Sequence, residues 1–292
     1  MKYIHPTNVM IKLCAHAGRP GMILWHTYEY HLIRGHFPNF RHPKDFSEIL
    51  LSNMHKKSFL DYAQYADKVL VRDYIKAKGL GDLLLDVYGS WERAEDIDFD
   101  KLPNKFALKP NNGSGGHFFC HDKSKLDIPG LIVRMNKSLD ISGDAYAFER
   151  HYREIKPQIY CEELMDTGTD KNPTDFKFTC INGNIADIFI AEEGPDGKRK
   201  YATVDMEWNP LDYTKKEFLL TPIPPKPKHL KEMIGYAKIL SSDFDIVRVD
   251  FYEFNDKVYF GELTLSPWGG MMYSYTEDAL LKMGEIYYDT KK

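Results

Sequence analysis

The chain has 292 residues, of which 43% are hydrophobic and 28% are charged, and its formal net charge is -4. These values are ordinary for a water-soluble globular protein, and the length allows a sizeable core in one to three domains. The negative charge gives no basis for general nucleic-acid binding. No run of 18 apolar residues occurs and the N-terminus lacks a signal-peptide pattern, so neither a transmembrane segment nor secretion is predicted.

Cysteine usage indicates a reducing compartment. Four cysteines stand among apolar residues, and no two of them form a CxxC pair, so a zinc knuckle is not indicated. We therefore expect buried thiols in a cytoplasmic protein, with a peripheral position at the inner face of the membrane as an option. The cysteines are Cys14, Cys120, Cys161 and Cys180.

The first part of the chain, residues 1–104, is predicted to be a mainly helical module. Residues 44–57 have helical spacing, with Asp45 or Ser47 as the N-cap. Such a module precedes the segments that carry the candidate chemistry.

A second helix is predicted over residues 61–79, followed by a short strand over Leu83–Tyr88. Lys68 and Arg72 lie one turn apart on a shared face of this helix. Two interpretations are equally supported for them, a solvated basic stripe and an anion contact.

A glycine-rich loop between two short strands is the first candidate for a nucleotide contact. Phe106–Leu108 and His117–Cys120 are predicted to pair as a hairpin, and Lys109 at the end of the incoming strand is placed to meet a phosphate. Closely spaced glycines allow close backbone approach, and successive amides form a concave anion site. The strand–loop–strand order excludes a Walker A loop and a dinucleotide fingerprint. A phosphate-covering flap and an ordinary flexible loop remain as alternatives.

The lobe that carries this loop is predicted to span residues 105–166. It continues with a helix over Ile132–Tyr152 and a strand over 158–166. The edge of such a strand offers backbone groups to an adenine ring, and the acidic Glu162 and Glu163 offer acceptors to ribose hydroxyls.

The last lobe, residues 167–292, opens with a turn-rich joint at 167–174 and an alternating strand that carries Lys177. Asn182-Gly183 is the strongest hairpin signal in the chain. A return strand is therefore predicted over Ile185–Ala191.

A basic loop is predicted over residues 192–200. It is either a surface turn or a mobile lid that brings Lys198, Arg199 or Lys200 over bound phosphates. In the second case Arg199 belongs to the catalytic residues.

The segment Phe244–Gly270 is predicted to form two strands joined by a tight turn at Asn255-Asp256, and each strand carries one carboxylate, Asp250 or Glu262. Strand interiors disfavour acidic residues, and a carboxylate removed from water needs a partner. Neighbouring strands can present both to one cation, and oxygen ligands suit Mg²⁺. Two helices are predicted around this hairpin, over Lys228–Ser241 and Glu277–Tyr287.

The register of this hairpin decides whether the two carboxylates meet. A two-residue turn pairs Asp250 with Gly261 and points Glu262 to the opposite face of the sheet. A shared metal ion then requires a three-residue loop or a bulge. We therefore predict an irregularity between Phe251 and Gly261.

The order of these features resembles the ATP-grasp superfamily, and five blocks resemble its TupA-like family. The resemblance covers the chain from about residue 35 to the end. It implies an α+β ATP-grasp fold, in which two α+β lobes with mostly antiparallel sheets hold ATP, preceded by a helical module. The blocks are ADKVLVRDYI (66–75), FALKPNNGSGG (106–116), DFKFTCINGNI (175–185), YATVDMEWNP (201–210) and FDIVRVDFYEFNDKVYFGELTLSP (244–267).

The resemblance also implies roles for single residues. Those implied to bind ATP are Lys109, Asn112, Gly113, Ser114, Gly115, Gly116, Glu162, Glu163, Leu164 and Lys177. Those implied to bind Mg²⁺ are Asp250, Glu262 and Thr264. Thr264 stands where many ATP-grasp enzymes have an asparagine. A hydroxyl is a weaker ligand, so a second metal ion is held less tightly here or is completed by water.

The implied reaction is an ATP- and Mg²⁺-dependent joining of a carboxylate and an amine through an acyl phosphate. Such a step needs charge neutralisation and alignment more than a protein nucleophile. Lys177, Arg199 and Arg248 are then the catalytic residues. For Arg248 a second role is equally supported, that of a structural partner of Glu262 or Glu163.

The implied substrates are an amino acid or amino sugar and a uronic acid or glutamyl carboxylate, in surface-polysaccharide biosynthesis. Two other functions stay open. One is a phosphotransferase that acts on a glycan hydroxyl, and the other is a non-catalytic nucleotide-binding partner of a glycosyltransferase. A ligase gives ADP, phosphate and an amide, whereas a phosphotransferase gives ADP and a stable phosphomonoester.

Overall fold

The computed structural model describes residues 6–113, 115–140, 148–168, 173–193 and 198–291. The helices are α1 (Pro6–His16), α2 (Gly18–Arg34), α3 (Phe46–Met54), α4 (Ala63–Ala66), α5 (Val71–Ala77), α6 (Ile128–Ser138), α7 (Leu230–Ser241) and α8 (Glu277–Thr290). The strands are β1 (Val87–Trp91), β2 (Phe106–Pro110), β3 (Phe118–Cys120), β4 (Ile159–Glu162), β5 (Asp175–Ile181), β6 (Asn184–Glu193), β7 (Arg199–Val204), β8 (Ile246–Phe254) and β9 (Lys257–Thr264).

The described residues fall into two compact units. The larger unit contains residues 6–59, 148–149 and 174–291, and the smaller one contains residues 60–140 and 150–173. The α+β class predicted from the sequence is confirmed, and its sheets are antiparallel. The division into lobes at residues 105 and 167 stays a prediction. Within the described ranges, no helix is both long and apolar enough to cross a membrane.

The smaller unit is built on a four-stranded sheet with the order β1-β4-β2-β3. The predicted hairpin around the glycine-rich loop is confirmed, because Phe106 pairs with Cys120 and Leu108 pairs with Phe118. Phe106 and Leu108 are fully buried in a core that also takes in residues of α6, such as Met135. The loop therefore leaves from two strands that are anchored in a core.

Three boundaries in the smaller unit differ from the sequence prediction. The helix expected over 61–79 is broken at Asp67, whose backbone is extended and whose carboxylate accepts from the amides of Val69 and Leu70. The strand expected from Leu83 is β1, which begins at Val87.

The helix expected over Ile132–Tyr152 is α6, which begins four residues earlier and ends at Ser138. Asp127 caps its start, where its carboxylate accepts from the amide of Gly130 at 3.1 Å. Residues 141–147 of the expected helix lie outside the described residues, and Arg150–Glu154 form a 3₁₀ turn.

The larger unit is built on a five-stranded sheet with the order β7-β6-β5-β8-β9. The turns after β5 and β8 are the predicted ones, and Asn182, Gly183, Asn255 and Asp256 all have φ between 49° and 77°. One face of the sheet is apolar, and the ring of its Phe251 lies 6.3 Å from that of Tyr236 in α7. The opposite face carries the polar residues of the candidate site.

The helices of the larger unit confirm their sequence signals. Asp45 is the N-cap of α3, where its carboxylate accepts from the amide of Glu48 at 3.0 Å. Thr276 caps α8 in the same way. Helix α7 begins two residues later than predicted and ends at Ser241 as predicted, whereas α8 begins as predicted and continues to Thr290.

Candidate functional site

A bulge in the β8–β9 hairpin brings the two predicted metal ligands together. The two-residue turn is kept, and Phe251 pairs with Phe260 as a regular register requires. The next pair is Asp250 with Glu262, so Gly261 is the extra residue. The predicted irregularity is confirmed, and both carboxylates lie on the same face of the sheet.

The bulge explains the glycine at position 261. A Cβ atom built there would lie 3.0 Å from both the carbonyl oxygen of Asp250 and the ring of Tyr252. A side chain would therefore push against the backbone of the residue that the bulge positions. Glycine is the residue that lets the two strands approach at this point.

Arg248 is the shared partner of the two carboxylates. Its Nε and Nη2 donate to the two oxygens of Asp250 at 2.7 and 2.8 Å, a bidentate pair. Its Nη2 also donates to Glu262 Oε1 at 3.1 Å and to Thr264 Oγ1 at 3.0 Å. Thr264 in turn donates to Glu262 Oε1 at 2.9 Å. Of the two roles left open for Arg248, the structure shows the partnership with Glu262.

Lys177 joins this group from the neighbouring strand, because β5 places it opposite Asp250. Its ammonium donates to Asp250 Oδ2 at 2.6 Å and also to Asp175. No function was predicted for Asp175. It stands two positions before Lys177 in the same strand, and this spacing was the signal that both side chains share one face of β5.

We call Asp175, Lys177, Arg248, Asp250 and Glu262 the ionic face. Burial raises the pKa of Asp175 to about 6, although Lys177 opposes the shift. Burial lowers the pKa of Lys177, but Asp250 and Asp175 outweigh it and the net shift is upward. The same balance raises the pKa of Arg248. Both cations are therefore charged at neutral pH.

The donor set of the ionic face fits a hard divalent cation. Asp250 and Glu262 already share one cationic group, the guanidinium of Arg248. Together with Asp175 they make three carboxylates against two cations, so the ionic face has an excess of one negative charge. Oxygen donors of this kind suit Mg²⁺, which keeps several waters or phosphate oxygens in its shell. In the described part of the chain, no group of three or more His, Cys, Asp or Glu side chains is arranged to hold a metal ion by itself.

In the smaller unit, Lys109 holds one carboxylate. Its ammonium lies 2.5 Å from Glu162 Oε1, and both side chains are largely buried. Glu162, which was expected to face a ribose, is therefore the partner of the lysine that was expected to face a phosphate. Lys109 on β2 and Glu162 on β4 can meet because the two strands are antiparallel neighbours in the sheet.

Of the strand predicted over 158–166, only Ile159–Glu162 is strand, and over these residues no edge is open. Strand β4 lies between β1 and β2, so both of its edges are paired. The chain leaves the sheet after Glu162, and the amide of Glu163 donates to the carbonyl of Asp86 at 2.9 Å. Leu164 follows outside the sheet, and its proposed contact with adenine stays a prediction.

The glycine-rich loop is fixed at its base by side chains of the same unit. Lys68 donates to the carbonyl of Gly113 at 2.6 Å, and Asn111 donates to Asp67 at 3.0 Å. Gly113 and Gly115 have φ of 87° and 88°, a conformation that favours glycine. Ser114 lies outside the described residues, and the roles of Asn112 and of the glycines stay predictions.

Lys68 and Arg72 are not a free solvated stripe, because both donate to backbone carbonyls, and their anion contact stays a prediction. Arg72 donates to the carbonyl of Leu85 at 2.6 Å, as Lys68 does to that of Gly113. Both side chains therefore hold backbone segments of the smaller unit in place. Neither contact was visible in the sequence, because each joins positions 13 or more residues apart.

The basic loop expected over 192–200 is shorter than predicted. Strand β6 continues to Glu193 and β7 begins at Arg199, while residues 194–197 lie outside the described residues. The ladder pairs Glu192 with Lys200, and opposite charges across a strand pair favour such an extension. Arg199 is exposed at the start of a strand, so its part in a lid stays a prediction.

A family model described as TupA-like ATPgrasp matches residues 48–287, which is most of the chain. The chain belongs to the TupA-like ATP-grasp family. No curated protein sequence matches it closely enough to count as a relative.

Several solved structures resemble this TupA-like chain at low identity. A D-alanine–D-alanine ligase from Bacillus anthracis is 16% identical, with 77% of this chain and 66% of that one covered and a TM-score of 0.45. An L-amino acid ligase from Bacillus licheniformis is 16% identical, with 76% and 45% covered and a TM-score of 0.44. The chain thus spans about two thirds of the first protein and less than half of the second. The family assignment rests on the sequence match alone.

The predicted site residues of this TupA-like chain form two groups. The larger unit brings Lys177, Arg248, Asp250, Glu262 and Thr264 into direct contact on one sheet face. The smaller unit brings Lys109 against Glu162, at the strand that leads into the glycine-rich loop.

Proposed function

We propose that this chain is a carboxylate–amine ligase that uses ATP and Mg²⁺ and acts through an acyl phosphate. The observation that carries the proposal is the ionic face, in a chain that belongs to an ATP-grasp family. Two cations and two candidate metal ligands in hydrogen-bonding contact are what the transfer of a phosphoryl group requires.

The proposed reaction has two steps. An oxygen of the acceptor carboxylate attacks the γ-phosphorus of ATP, the bond from that phosphorus to its bridging oxygen breaks, and ADP leaves. The amine nitrogen then attacks the acyl carbon, the bond from this carbon to the phosphate oxygen breaks, and phosphate leaves. The nitrogen loses one proton, and an amide results.

The residues of the larger unit supply charge and alignment. Asp250 and Glu262 would hold Mg²⁺, which when bound neutralises negative charge on phosphate oxygens. Lys177 exchanges a carboxylate partner for a phosphate oxygen, since its ammonium has three donors to distribute. Arg248 keeps its fork on Asp250 through Nε and Nη2, and its Nη2 also contacts Glu262. Its positive charge would steady the acceptor carboxylate or the acyl phosphate.

The smaller unit offers one further cation, Lys109, and a set of backbone amides. Lys109 is pre-positioned by Glu162 and would turn to phosphate oxygens when a nucleotide is present. The positive φ of Gly113, Gly115 and Gly116 supports amides that converge on an anion. Adenosine contacts by Glu163 and Leu164 belong to the same proposal.

The substrate classes follow the resemblance described above. We propose an amino acid or amino sugar as the amine, and a uronic acid or glutamyl group as the carboxylate, in the assembly of a surface polysaccharide. A cytoplasmic enzyme at the inner membrane face, associated with glycosyltransferases, would meet such substrates.

The proposal is tested by incubating the protein with ATP, Mg²⁺, and pools of uronic acids, glutamyl acids, amino acids and amino sugars. We expect ADP, phosphate and an amide identified by mass, with the acyl phosphate trapped by hydroxylamine when the amine is left out. A stable phosphomonoester would instead identify a phosphotransferase. ATP binding without turnover would identify a binding protein, and no shift in melting temperature with ATP would overturn the whole assignment.

A further inference from the structure

A group of aromatic rings packs on the side of the five-stranded sheet that carries Lys177, because Phe189, one of its members, pairs with Lys177. Trp268 and Tyr273 stack with ring centroids 4.6 Å apart, and we call this pair the aromatic platform. Two buried rings support it, since Phe189 and Tyr201 lie 5.0 and 5.2 Å from Trp268. The hydroxyls of Tyr201 and Tyr273 are 3.1 Å apart, which fixes the outer ring.

The two rings of the platform are partly exposed to solvent, whereas the two rings that support them are buried. Tyr273 is 38% exposed and Trp268 is partly exposed, whereas Phe189 is 3% exposed. Burial of large aromatic rings contributes strongly to stability, so a core function would have drawn the outer pair inward. A single exposed ring pair is also far smaller than a stable protein interface.

The backbone that carries the platform is held in an uncommon conformation. Trp268 has φ 52° and ψ 40°, and Met272 has φ 44°, which bulky side chains rarely adopt. Between them, Gly270 has φ 86°, and a Cβ there would lie 2.6 Å from the side chain of Leu51. Strain of this kind persists where the surroundings impose it, and it concentrates at functional sites.

The platform is linked to the ionic face through Phe189, which packs against Trp268 and lies on the same side of the sheet as Lys177. Phe189, which supports Trp268, is the cross-strand partner of Lys177 in the β5–β6 ladder. Trp268 also follows Thr264, the last residue of β9, by four positions. We expect a ligand whose carboxylate contacts the cations of the ionic face to reach the exposed part of the platform on the same side of the sheet.

We propose that the aromatic platform binds the apolar face of a sugar ring, so that the acceptor of the proposed ligase is a cyclic sugar acid and not a glutamyl chain. This inference rests on the proposed function. A pyranose presents a flat face of C–H groups that packs on an aromatic ring, while its hydroxyls stay in water. A linear glutamyl chain has no such face, and the ionic face alone would recognise its carboxylate.

Two variants test the platform, Trp268→Leu and Tyr273→Leu, in the full chain. The measured quantities are KM and kcat with a cyclic panel of glucuronate, galacturonate and mannuronate, and with a linear panel of glutamate and γ-glutamylglutamate. We expect product with a cyclic acid, and each variant should raise its KM about fivefold to tenfold while kcat changes less than twofold.

Two controls separate the platform from folding. Tyr273→Phe keeps the ring and loses only the hydroxyl contact with Tyr201, so its KM should stay within twofold of the parent. Phe37→Leu removes a ring that is 68% exposed elsewhere in the same unit, and it should leave KM unchanged. Saturation-transfer NMR with glucuronate gives a readout without turnover, and its ring-proton signal should fall in the leucine variants.

The outcomes distinguish this inference from the proposed function. If ATP still raises the melting temperature and a glutamyl acid gives an amide while no cyclic acid does, the ligase assignment stands and the platform inference is overturned. Unchanged KM for a cyclic acid in both leucine variants overturns it as well. Failure of ATP to bind would instead remove the proposed function on which the inference rests.

Discussion

The two lysines expected to meet phosphate are held in different ways. In the larger unit, Lys177 lies between Asp175 and Asp250, and Asp250 is also forked by Arg248. In the smaller unit, Lys109 faces Glu162 alone among the ion pairs found in the described residues. The first arrangement is a network across three strands, and the second is a single pair across two.

This difference shows what each arrangement depends on. The network exists because a bulge puts Glu262 beside Asp250, so strand register fixes the positions of all its charges. Charges fixed in this way need little reorganisation when substrate arrives. The Lys109 pair leaves the ammonium free to change partner, and the adjoining loop contributes backbone groups and not side-chain charge. Removing one charge should therefore have a larger effect in the network than in the pair.

The largest effect is expected for Asp250→Asn. The change leaves the buried Arg248 and Lys177 short of a shared counter-charge, and breaking a buried ion pair costs about 3–5 kcal/mol. ATP-dependent turnover should fall about a hundredfold or more, because a metal ligand is lost with the charge. Urea unfolding and ADP release measure the two effects.

Asp256→Asn is the matched control at the tip of the same hairpin. Its carboxylate is 65% exposed although it contacts Lys228, and such a pair contributes little to stability because water and salt screen it. Asparagine also tolerates the left-handed backbone at this position. Equal losses of stability in the two variants would contradict the network interpretation.

Glu149 shows what burial does to a carboxylate outside the ionic face. It accepts from Ser266 at 2.6 Å, and burial, together with the nearby Glu29, raises its pKa to about 7. The folded pKa thus lies above the unfolded value, so its contribution to stability is complete below about pH 4.5 and is lost as pH rises through 7. The unfolding free energy should fall by about 3 kcal/mol across this window because of Glu149.

The measurement compares the parent and Glu149→Gln by denaturant unfolding at several pH values between 4.5 and 8. Glutamine keeps an acceptor for Ser266 but cannot ionise, so the difference between the two proteins should grow with pH. Parallel curves of unfolding free energy against pH for the parent and the variant would show that Glu149 is ionised throughout. The contrast between Glu149, a buried carboxylate without a cation, and Asp250, which Arg248 and Lys177 hold, would then be wrong.

The sequence predicted the local parts of this molecule well. Asn182-Gly183 and Asn255-Asp256 have few conformations open to them, so both hairpins were found. The bulge at Gly261 followed from one requirement, that Asp250 and Glu262 share a face. These features depend on residues close together in the chain, where spacing and turn chemistry are decisive.

Contacts between distant segments were not predictable in this way. The break in the helix predicted over 61–79 was missed because the Asp67 carboxylate accepts from the amides of Val69 and Leu70, a contact that helical spacing does not reveal. The edge of β4 was taken as open because β1, which covers it, starts about seventy residues earlier. The contact of the aromatic platform with its supporting ring Phe189 had no signal in the sequence beyond a high aromatic content.

A moderate effect is expected for Lys109→Met. The variant leaves Glu162, which is 6% exposed, without its cation, and an unsatisfied buried group of this kind costs about 1–3 kcal/mol. ATP affinity should fall about tenfold, because one charge-assisted contact is worth that much. Unfolding and ATP titration followed by calorimetry measure the two effects.

Lys105→Met provides the comparison for that pair. Lys105 contacts Asp166 at the surface with about half of its side chain exposed, so both losses should be small. If Lys109→Met destabilised the protein as strongly as Asp250→Asn, the single pair would matter as much as the network. The contrast between the two units would then be wrong.

The smallest effect is expected for Gly261→Ala, which tests the bulge itself. The new Cβ would lie 3.0 Å from the Asp250 carbonyl, so the strand must shift by a few tenths of an ångström at a cost of about 1 kcal/mol. Gly235→Ala is the matched control, because nothing lies within 4 Å of its Cβ and it sits in α7, where alanine stabilises by about 0.5–1 kcal/mol. If Gly261→Ala lowers the free energy of unfolding and Gly235→Ala raises it, the loss at position 261 comes from the close approach to Asp250 at the bulge. A neutral Gly261→Ala would mean that the register of Glu262 is held by the ion pairs with Arg248, and the network would then be the cause of the bulge and not its consequence.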